Sequence, residues 1–270
     1  MRVAITGADG FLGTAVLKKL KKEKIPYTTF DFNKHDLLKT KSLKNLVLEN
    51  DVIIHLAAVN RGNNTELFKI NVLGTQCLLE AINLYSPNAK IVFASSFQVY
   101  LKNGLYGFSK RMAEELIKYY SVTTEIRGVI FRISNIYGPG GKPYYNSVIA
   151  TIAYLIKKDE IVKINGDGTQ KRDFIYVDDV ADAIIKACKS PQKRKVEIID
   201  LCFGKETSLN HVLNILGNAS GKKIKVEYNR GVKEKPWPTT TKNFKKAYQM
   251  LKWKPKIDLT NGLKKVINYK

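Results

Sequence analysis

A tyrosine four residues ahead of a lysine is the arrangement in this chain best suited to moving a proton. In Tyr106-Gly107-Phe108-Ser109-Lys110 the spacing puts both side chains on one face of a helix, one turn apart. An ammonium beside a phenol lowers the phenol's pKa and readies it as a base near neutral pH. The spacing alone means little in a Lys-rich chain, for it recurs at Tyr154/Lys158 and Tyr248/Lys252. Only the first pair follows an apolar run, Lys90–Ala94, that ends in two hydroxyls, Ser95-Ser96. Ligands of open α/β sheets bind outside the carboxyl ends of such strands. Tyr154 and Tyr248 read as packing or surface residues.

A second constellation, Gly7-Ala8-Asp9-Gly10-Phe11-Leu12-Gly13, lies between a short apolar run and a helical pattern. One glycine permits a tight turn, another lets backbone approach a pyrophosphate, and a third lets helix pack on strand. The following helix N-terminus then faces the diphosphate. Asp31 closes the next apolar run. A carboxylate about 20 residues past such a loop can bind a ribose 2′-hydroxyl and repel a 2′-phosphate. That favours NAD over NADP.

The elements that must hold these groups alternate. Arg2–Thr6, Tyr27–Phe32, Asp51–Leu56, Lys90–Ala94 and Arg127–Arg132 read as strands. Phe11–Lys22, Ser42–Glu49, Thr65–Ser86 and Ser109–Tyr120 read as helices between them. Near-continuous apolar strands separated by helices predict a parallel sheet covered on both faces. The fold expected is α/β: a Rossmann-type doubly wound parallel sheet with a smaller C-terminal substrate-binding lobe. Residues 1–140, joined by 173–202, form the dinucleotide-binding domain in this reading. Residues 141–172 and 203–270 form the lobe. Within them Ser147–Lys157, Val180–Ser190, Leu209–Leu216 and stretches near 243–251 and 261–269 read as helices. Phe174–Val177, Glu197–Leu201 and Lys222–Tyr228 read as strands.

Composition narrows the class. Hydrophobic residues make up 44% and charged residues 26% of the 270, an ordinary globular balance. No stretch approaches the roughly 20 apolar residues of a membrane span, and Met1–Ile5 enters structure without a secretory pattern. A cytoplasmic protein with no membrane partner is expected. The three cysteines, Cys77, Cys188 and Cys202, are scattered and read as free thiols. No His/Cys cluster has metal-ligand spacing, so no metal is expected. The net charge of +22 comes mostly from lysines spread along the whole length. Nucleic-acid binders gather Lys and Arg on one face with interleaved aromatics. The charge is read instead as a solvated surface that attracts a phosphate-bearing substrate.

The residues together resemble the extended short-chain dehydrogenase/reductase family, in its nucleotide-sugar epimerase/dehydratase branch. The matching pieces run in order: Thr6–Gly13, Asp36-Leu37, His55-Leu56-Ala57-Ala58, Asn71-Val72 with Gly74-Thr75, and Ser95-Ser96 with Val99-Tyr100. Tyr106-Gly107-x-Ser109-Lys110, Arg132-x-Ser134-Asn135-x-Tyr137-Gly138-Pro139 and Gly166-x-Gly168 with Arg172-Asp173-Phe174 follow. Val177–Val180 and Leu251-Lys252-Trp253-x-Pro255 complete the set.

The resemblance implies roles. Tyr106 would be the catalytic acid/base, Lys110 would hold the nicotinamide ribose and tune that tyrosine, and Ser96 would hydrogen-bond the reacting sugar oxygen. Gly7, Gly10, Phe11, Leu12, Gly13, Asp31, Asp36, Leu37, Leu56, Ala57, Ala58 and Asn71 would line the cofactor site. Asn135, Asn146 and Arg172 would hold the substrate's nucleotide diphosphate, and a guanidinium fork suits phosphate oxygens. A homodimer built from helices near Thr65–Ser86 and Ser109–Tyr120 is also implied. The chain departs from the family pattern in places. Ser96 and Tyr106 stand only ten residues apart, Asn243 replaces a frequent Asp, and the C-terminal lobe is trimmed.

The family's 4,6-dehydratases carry an Asp-Glu pair just after the Ser/Thr. Here those positions are Phe97 and Gln98, neither of which titrates. Members that epimerise C3 and C5 use a cysteine near that Ser, and none stands there. Two activities remain. The first is NAD-dependent epimerisation of a UDP-hexose-type sugar, at C4, through a transient ketone. The second is NAD(P)H-dependent reduction of a nucleotide 4-keto-6-deoxy sugar. Ala58-Val59-Asn60-Arg61, the short Ser-to-Tyr link and Pro143–Val148 are similar to a capsule-synthesis keto-sugar reductase. Asp31 favours tightly held NAD and the epimerase.

Overall fold

The computed structural model describes residues 1–101, 103–145, 147–191, 195–232 and 244–269. The first half alternates as expected: β1 (Val3–Thr6), α1 (Phe11–Lys22), β2 (Tyr27–Thr29), α2 (Lys44–Val47), β3 (Val52–His55), α3 (Asn64–Phe68), α4 (Gly74–Tyr85), β4 (Lys90–Ser96), α5 (Leu105–Thr123) and β5 (Arg127–Ile133). The second half contains β6 (Asn135–Tyr137), α6 (Val148–Lys158), β7 (Val162–Asn165), β8 (Lys171–Tyr176), α7 (Val177–Lys189) and β9 (Val196–Leu201). It ends with β10 (Glu206–Ser208), α8 (Leu209–Ser220), β11 (Val226–Asn229), α9 (Phe244–Leu251) and α10 (Leu259–Ile267).

Six strands form one parallel sheet in the order β2-β1-β3-β4-β5-β9. Its strands are buried on both faces, as their unbroken apolar runs require. Val3 and Ile5 face a core shared with α1 and α7, while Ala4 and Ile53 face one shared with α4 and α5. The strand order turns outward in opposite directions from β1 and β3. The crevice at their carboxyl ends is therefore the place for a ligand in this topology.

A smaller lobe stands on the carboxyl side. β10-β8-β6 and β11-β7 form two short sheets, and α6, α8 and α10 bury a third core around Ile152, Val212 and Leu263. Two features differ from the division drawn from sequence. Of 173–202, β9 joins the large sheet and α7 packs on it, while β8 pairs in the small sheet with Ile175 reaching the same core as α7. α9 does not join the lobe: Ala247, Leu251 and Trp253 pack into the core of α1 and α7.

The docking of that C-terminal segment has a specific anchor. Trp253 Nε1 donates to Asp179 O at 3.0 Å, and the N–H groups of Lys256 and Ile257 donate to Asp179 Oδ2 at 3.0 and 2.9 Å. Two separated sequence motifs thus meet at one buried carboxylate. Asp179→Ala keeps the carbonyl that Trp253 uses but leaves the Lys256 and Ile257 N–H groups unmatched, and is expected to lower the unfolding free energy by about 1–3 kcal/mol. Urea denaturation checks this, and an unchanged midpoint would remove the anchoring role.

The helix expected over Thr65–Ser86 is interrupted. A π-turn at Lys69–Leu73 separates α3 from α4. The extra residue turns Asn71 inward, where its side chain binds Val59 and Ser109. The strand expected over Tyr27–Phe32 stops at Thr29, opposite Ile5, because β1 ends at the glycine loop. The helix expected from Ser109 begins at Leu105, which brings Tyr106 into its first turn.

Among the described residues, no helix is long and apolar enough to cross a membrane, and no three His, Cys, Asp or Glu side chains gather as a metal site.

Candidate active site

The glycine loop leaves β1 and enters α1 with a shape only small residues permit. Gly7 has φ +73°, and a Cβ there would lie 2.6 Å from Ala57 N. A Cβ on Gly13 would lie 2.1 Å from the Gly7 carbonyl oxygen, so helix and loop touch backbone to backbone. Gly10 caps α1 without a side-chain acceptor, and the first turn carries no acidic residue. Free N–H groups at a helix end with no competing carboxylate suit a diphosphate.

The residues expected around an adenosine half lie beside this loop. Asp31 follows β2, half-exposed, and accepts the Asn33 N–H at 2.9 Å. That bond, with Lys34 at 3.6 Å, holds its carboxyl below the usual range, so it is anionic at neutral pH. Asp36 is likewise lowered, chiefly by the Leu38 N–H and secondarily by Lys39. The Leu37 side chain is buried in the core against Gly74. Leu56, Ala57 and Ala58 follow β3, with the Ala57 N–H donating to Thr6 Oγ1 at 3.3 Å. Asn71, expected at the cofactor, is 1% exposed. Its Nδ2 donates to Val59 O at 2.8 Å and Ser109 Oγ at 3.0 Å, and its Oδ1 accepts the Val59 N–H at 2.8 Å. The amide is spent inside the protein, so it ties the loop after β3 to α5.

A hydrogen-bonded chain runs from this region across the sheet. Thr6 Oγ1 donates to His55 Nδ1 at 2.7 Å, and His55 Nε2 donates to Thr75 Oγ1 at 3.0 Å. Thr75 Oγ1 donates onward to Asn71 O, which fixes those directions. Burial pushes His55 down to about 3, so the ring is neutral.

Ser96 stands at the carboxyl end of β4, and Tyr106 and Lys110 stand in the first two turns of α5. Ser96 ends the strand, and its Oγ accepts the Gln98 N–H at 3.2 Å. A Cβ on Gly107 would lie 2.2 Å from Gln98 O, so α5 begins directly on the turn after Ser96. The ten-residue link is short because nothing separates the two.

The electrostatics correct one expectation. The Tyr106 phenol is raised, not lowered, with Lys110 one helical turn away. Burial governs both groups, with the phenol pushed up to about 12 and the ammonium down to about 7. Lys110 is 2% exposed, with Nζ 4.0 Å above the Phe93 ring. A second phenol, Tyr145, adds to the rise at Tyr106 and so stands in the same site. Sequence reading missed Tyr145. It adjoins Asn146, which lies outside the described residues, as does Asn243.

The lobe brings the remaining candidates. Asn135 Nδ2 donates to Asp173 O at 3.0 Å, joining β6 to β8. Arg172 lies half-exposed on β8 beside β10, with Nη1 on Lys171 O at 2.9 Å. Asp173 next to it is fully buried and accepts N–H groups of Phe203, Gly204 and Lys205 and the Ser134 hydroxyl. The Arg172-Asp173 pair therefore splits its work, the acid fixing the loop while the guanidinium stays at the surface. A depression of about 660 Å³ opens at the opposite, amino edge of the sheet, beside Ile25, Val52 and Lys90. It contains none of the candidate residues.

Residues 3–202 match the family model described as the NAD dependent epimerase/dehydratase family. A protein of Methanocaldococcus jannaschii, provisionally named UDP-glucose 4-epimerase, is 34% identical over 304 residues, covering 99% of this chain and 97% of its own. The UDP-2-acetamido-2,6-beta-L-arabino-hexul-4-ose reductase of Pseudomonas aeruginosa is 33% identical over 191 residues, 69% of this chain and 49% of the reductase. A UDP-glucuronic acid 4-epimerase variant from Bacillus cereus, solved with UDP-4-deoxy-4-fluoro-glucuronic acid and NAD, shares the fold. Its TM-score is 0.86 at 24% identity, covering all of this chain and 98% of that one. The glycine cradle, the Ser–Tyr–Lys set and a family match over most of the length agree, and the chain belongs to the NAD-dependent epimerase/dehydratase family.

Proposed function

We propose that this protein is an NAD-dependent enzyme that epimerises a UDP-hexose-type nucleotide sugar at C4 through a transient keto intermediate. The observation that supports the reading is that α5, which carries Tyr106 and Lys110, begins directly on the turn after Ser96, with no acidic pair after Ser96. Phe97 is 1% exposed and belongs to the interior, so the dehydratase positions hold no acid or base.

Gly7, Gly10 and Gly13 would seat the diphosphate at α1, with Phe11 and Leu12 supplying the first helical N–H groups. Asp31 would take the adenosine ribose, and Ala57 and Ala58 would border the nicotinamide half. The bound NAD would accept and return hydride. Tyr106 would remove the proton from the C4 hydroxyl and give it back after the flat ketone has turned over. Ser96 would hold that oxygen, and Lys110 would hold the nicotinamide ribose. Lys110 together with oxidised nicotinamide brings positive charge to the phenol. This would let a group that burial raises to about 12 ionise in the complex. Asn135, Asn146 and Arg172 would face the nucleotide diphosphate.

Denaturing purified protein and weighing the released small molecule tests the cofactor. Proton NMR of UDP-glucose/UDP-galactose and UDP-glucuronate/UDP-galacturonate mixtures tests the reaction. Retained NAD with interconversion at C4 is the expected result. Protein without bound nucleotide that oxidises NADPH with 4-keto-6-deoxy sugar nucleotides would replace this reading with the reductase one. Support for that second reading is specific: Ala58-Val59-Asn60-Arg61 follows β3, and the Pseudomonas aeruginosa reductase is 33% identical over its matched part.

The preference for NAD has its own test. Asp31→Ser removes an anion from the 2′ position, and like charges at surface dielectric repel by about 1–4 kcal/mol. The Kd for NADPH is expected to fall about tenfold. Fluorescence titration measures it, and an unchanged value would remove Asp31 from the ribose site.

A cytoplasmic homodimer fits the same reading. α4 and α5 pack side by side and leave Leu84, Tyr119 and Val122 exposed, Val122 to 81%. Sedimentation equilibrium decides the assembly.

A further inference from the structure

The site contains a buried carboxylate that none of these steps uses. Glu114 lies one helical turn past Lys110 on α5 and is fully buried. Ser95 Oγ donates to its Oε1 at 2.5 Å. Arg132 Nε donates to Oε1 at 3.0 Å and Nη2 to Oε2 at 2.6 Å. Arg132 Nη1 then donates to Tyr100 OH at 3.0 Å, and that hydroxyl donates to Asp200 Oδ1 at 2.8 Å. One carboxylate so joins the helix of Tyr106 and Lys110 to Ser95, the neighbour of Ser96, and to β5.

We infer that Glu114, held by Arg132, is a positioning residue for the catalytic set: it sustains the charge of Lys110 while fixing α5 to the strand that carries Ser96. This rests on the proposed dinucleotide-dependent chemistry. The groups around Lys110 are few. β3 presents His55, a neutral ring whose own protonation Lys110 opposes. β4 presents the Phe93 ring. Its own helix presents Tyr106 on one side and Glu114 on the other, and among the described residues Glu114 alone pulls the ammonium upward against burial. Arg132 shares that carboxylate and so limits how much of its charge Lys110 feels. A cation 2% exposed, with one carboxylate a helical turn away, depends on that carboxylate to stay protonated.

Glu114 and Arg132 should therefore act on Lys110 with opposite signs. Glu114→Gln leaves Arg132 uncompensated and lowers the Lys110 pKa. Arg132→Gln frees the carboxylate and raises it. A protonated Lys110 favours binding of the dinucleotide, so affinity weakens as pH rises through that pKa. NADH fluorescence titrations from pH 6 to 10 read the midpoint without any sugar substrate. The midpoint is expected to fall by about one pH unit in E114Q and rise by about one in R132Q. Lys110→Met should lose it. Should E114Q fail to fold, E114Q/R132Q replaces it, with a midpoint below that of R132Q. Midpoints that stay put, or that move together, overturn the inference and leave a purely structural ion pair. Opposite shifts in protein that turns over no nucleotide sugar would keep it and reject the epimerase instead.

Discussion

Tyr106→Phe should give a folded protein that still binds NAD yet loses between about a hundredfold and ten-thousandfold in kcat, the range that a positioned acid/base contributes. Position, burial and charge lead to this. The residue sits in the first turn of α5, next to the Ser96 turn and one helical turn from Lys110. Its ring is half-buried, and phenylalanine preserves the volume, so stability should hardly change. Only the proton is lost. Because the free phenol stands near 12, the wild-type rate should also rise with pH at its acidic limb, as the ionised form is drawn out in the complex. The variant should lack that limb. Rates by NMR, NADH fluorescence and a thermal melt together decide the matter. A variant retaining more than about a tenth of wild-type kcat, with an unchanged pH profile, would assign the proton to another group. Tyr145, already in the site, would be next to examine.

What the sequence made legible follows the range of the forces involved. Gly7 and Gly13 could be read because a tight turn and a close approach demand a missing Cβ, which is a local requirement. The strands could be read because full burial on both faces writes an unbroken apolar run, as in Val52-Ile53-Ile54. The Tyr106/Lys110 pair could be picked from three equal spacings only by its place after a strand. Its electrostatics could not be read, since the depth of Lys110 depends on β3 and β4 packing over it. Asn71 sat in a sequence motif, but its inward turn arises from one extra residue in a helix, which apolar periodicity does not reveal. Chain order places α9 in the lobe. Its burial against α1 and α7 depends on Asp179, more than 60 residues earlier, receiving Lys256 and Ile257. Glu114 carried a signal that went unread: an acid four residues past Lys110, on the face of a helix that must point inward.

Gly7→Ala should abolish measurable NAD binding, and a matched control separates the cause. The added methyl would stand 2.6 Å from Ala57 N and 2.8 Å from the Leu56 carbonyl carbon, distances that backbone cannot yield without moving the end of β3. The loop must then open, and the N–H groups at the start of α1 lose their aim. Gly7 also carries φ +73°, and an L-residue there costs about 1–3 kcal/mol in strain by itself. Gly221, at the end of α8, shares that backbone state with φ +66° but has no atom within 4 Å of a built Cβ. Gly221→Ala therefore isolates the strain. Both variants should unfold at lower denaturant, whereas only Gly7→Ala should weaken NADH binding, by at least about a hundredfold, or 2.7 kcal/mol. The pairing matters because a general loss of stability would act on both alike. Equal NADH affinity in the two variants would mean that the glycine loop is a structural turn, and the dinucleotide would have to be sought elsewhere along the carboxyl edge of the sheet.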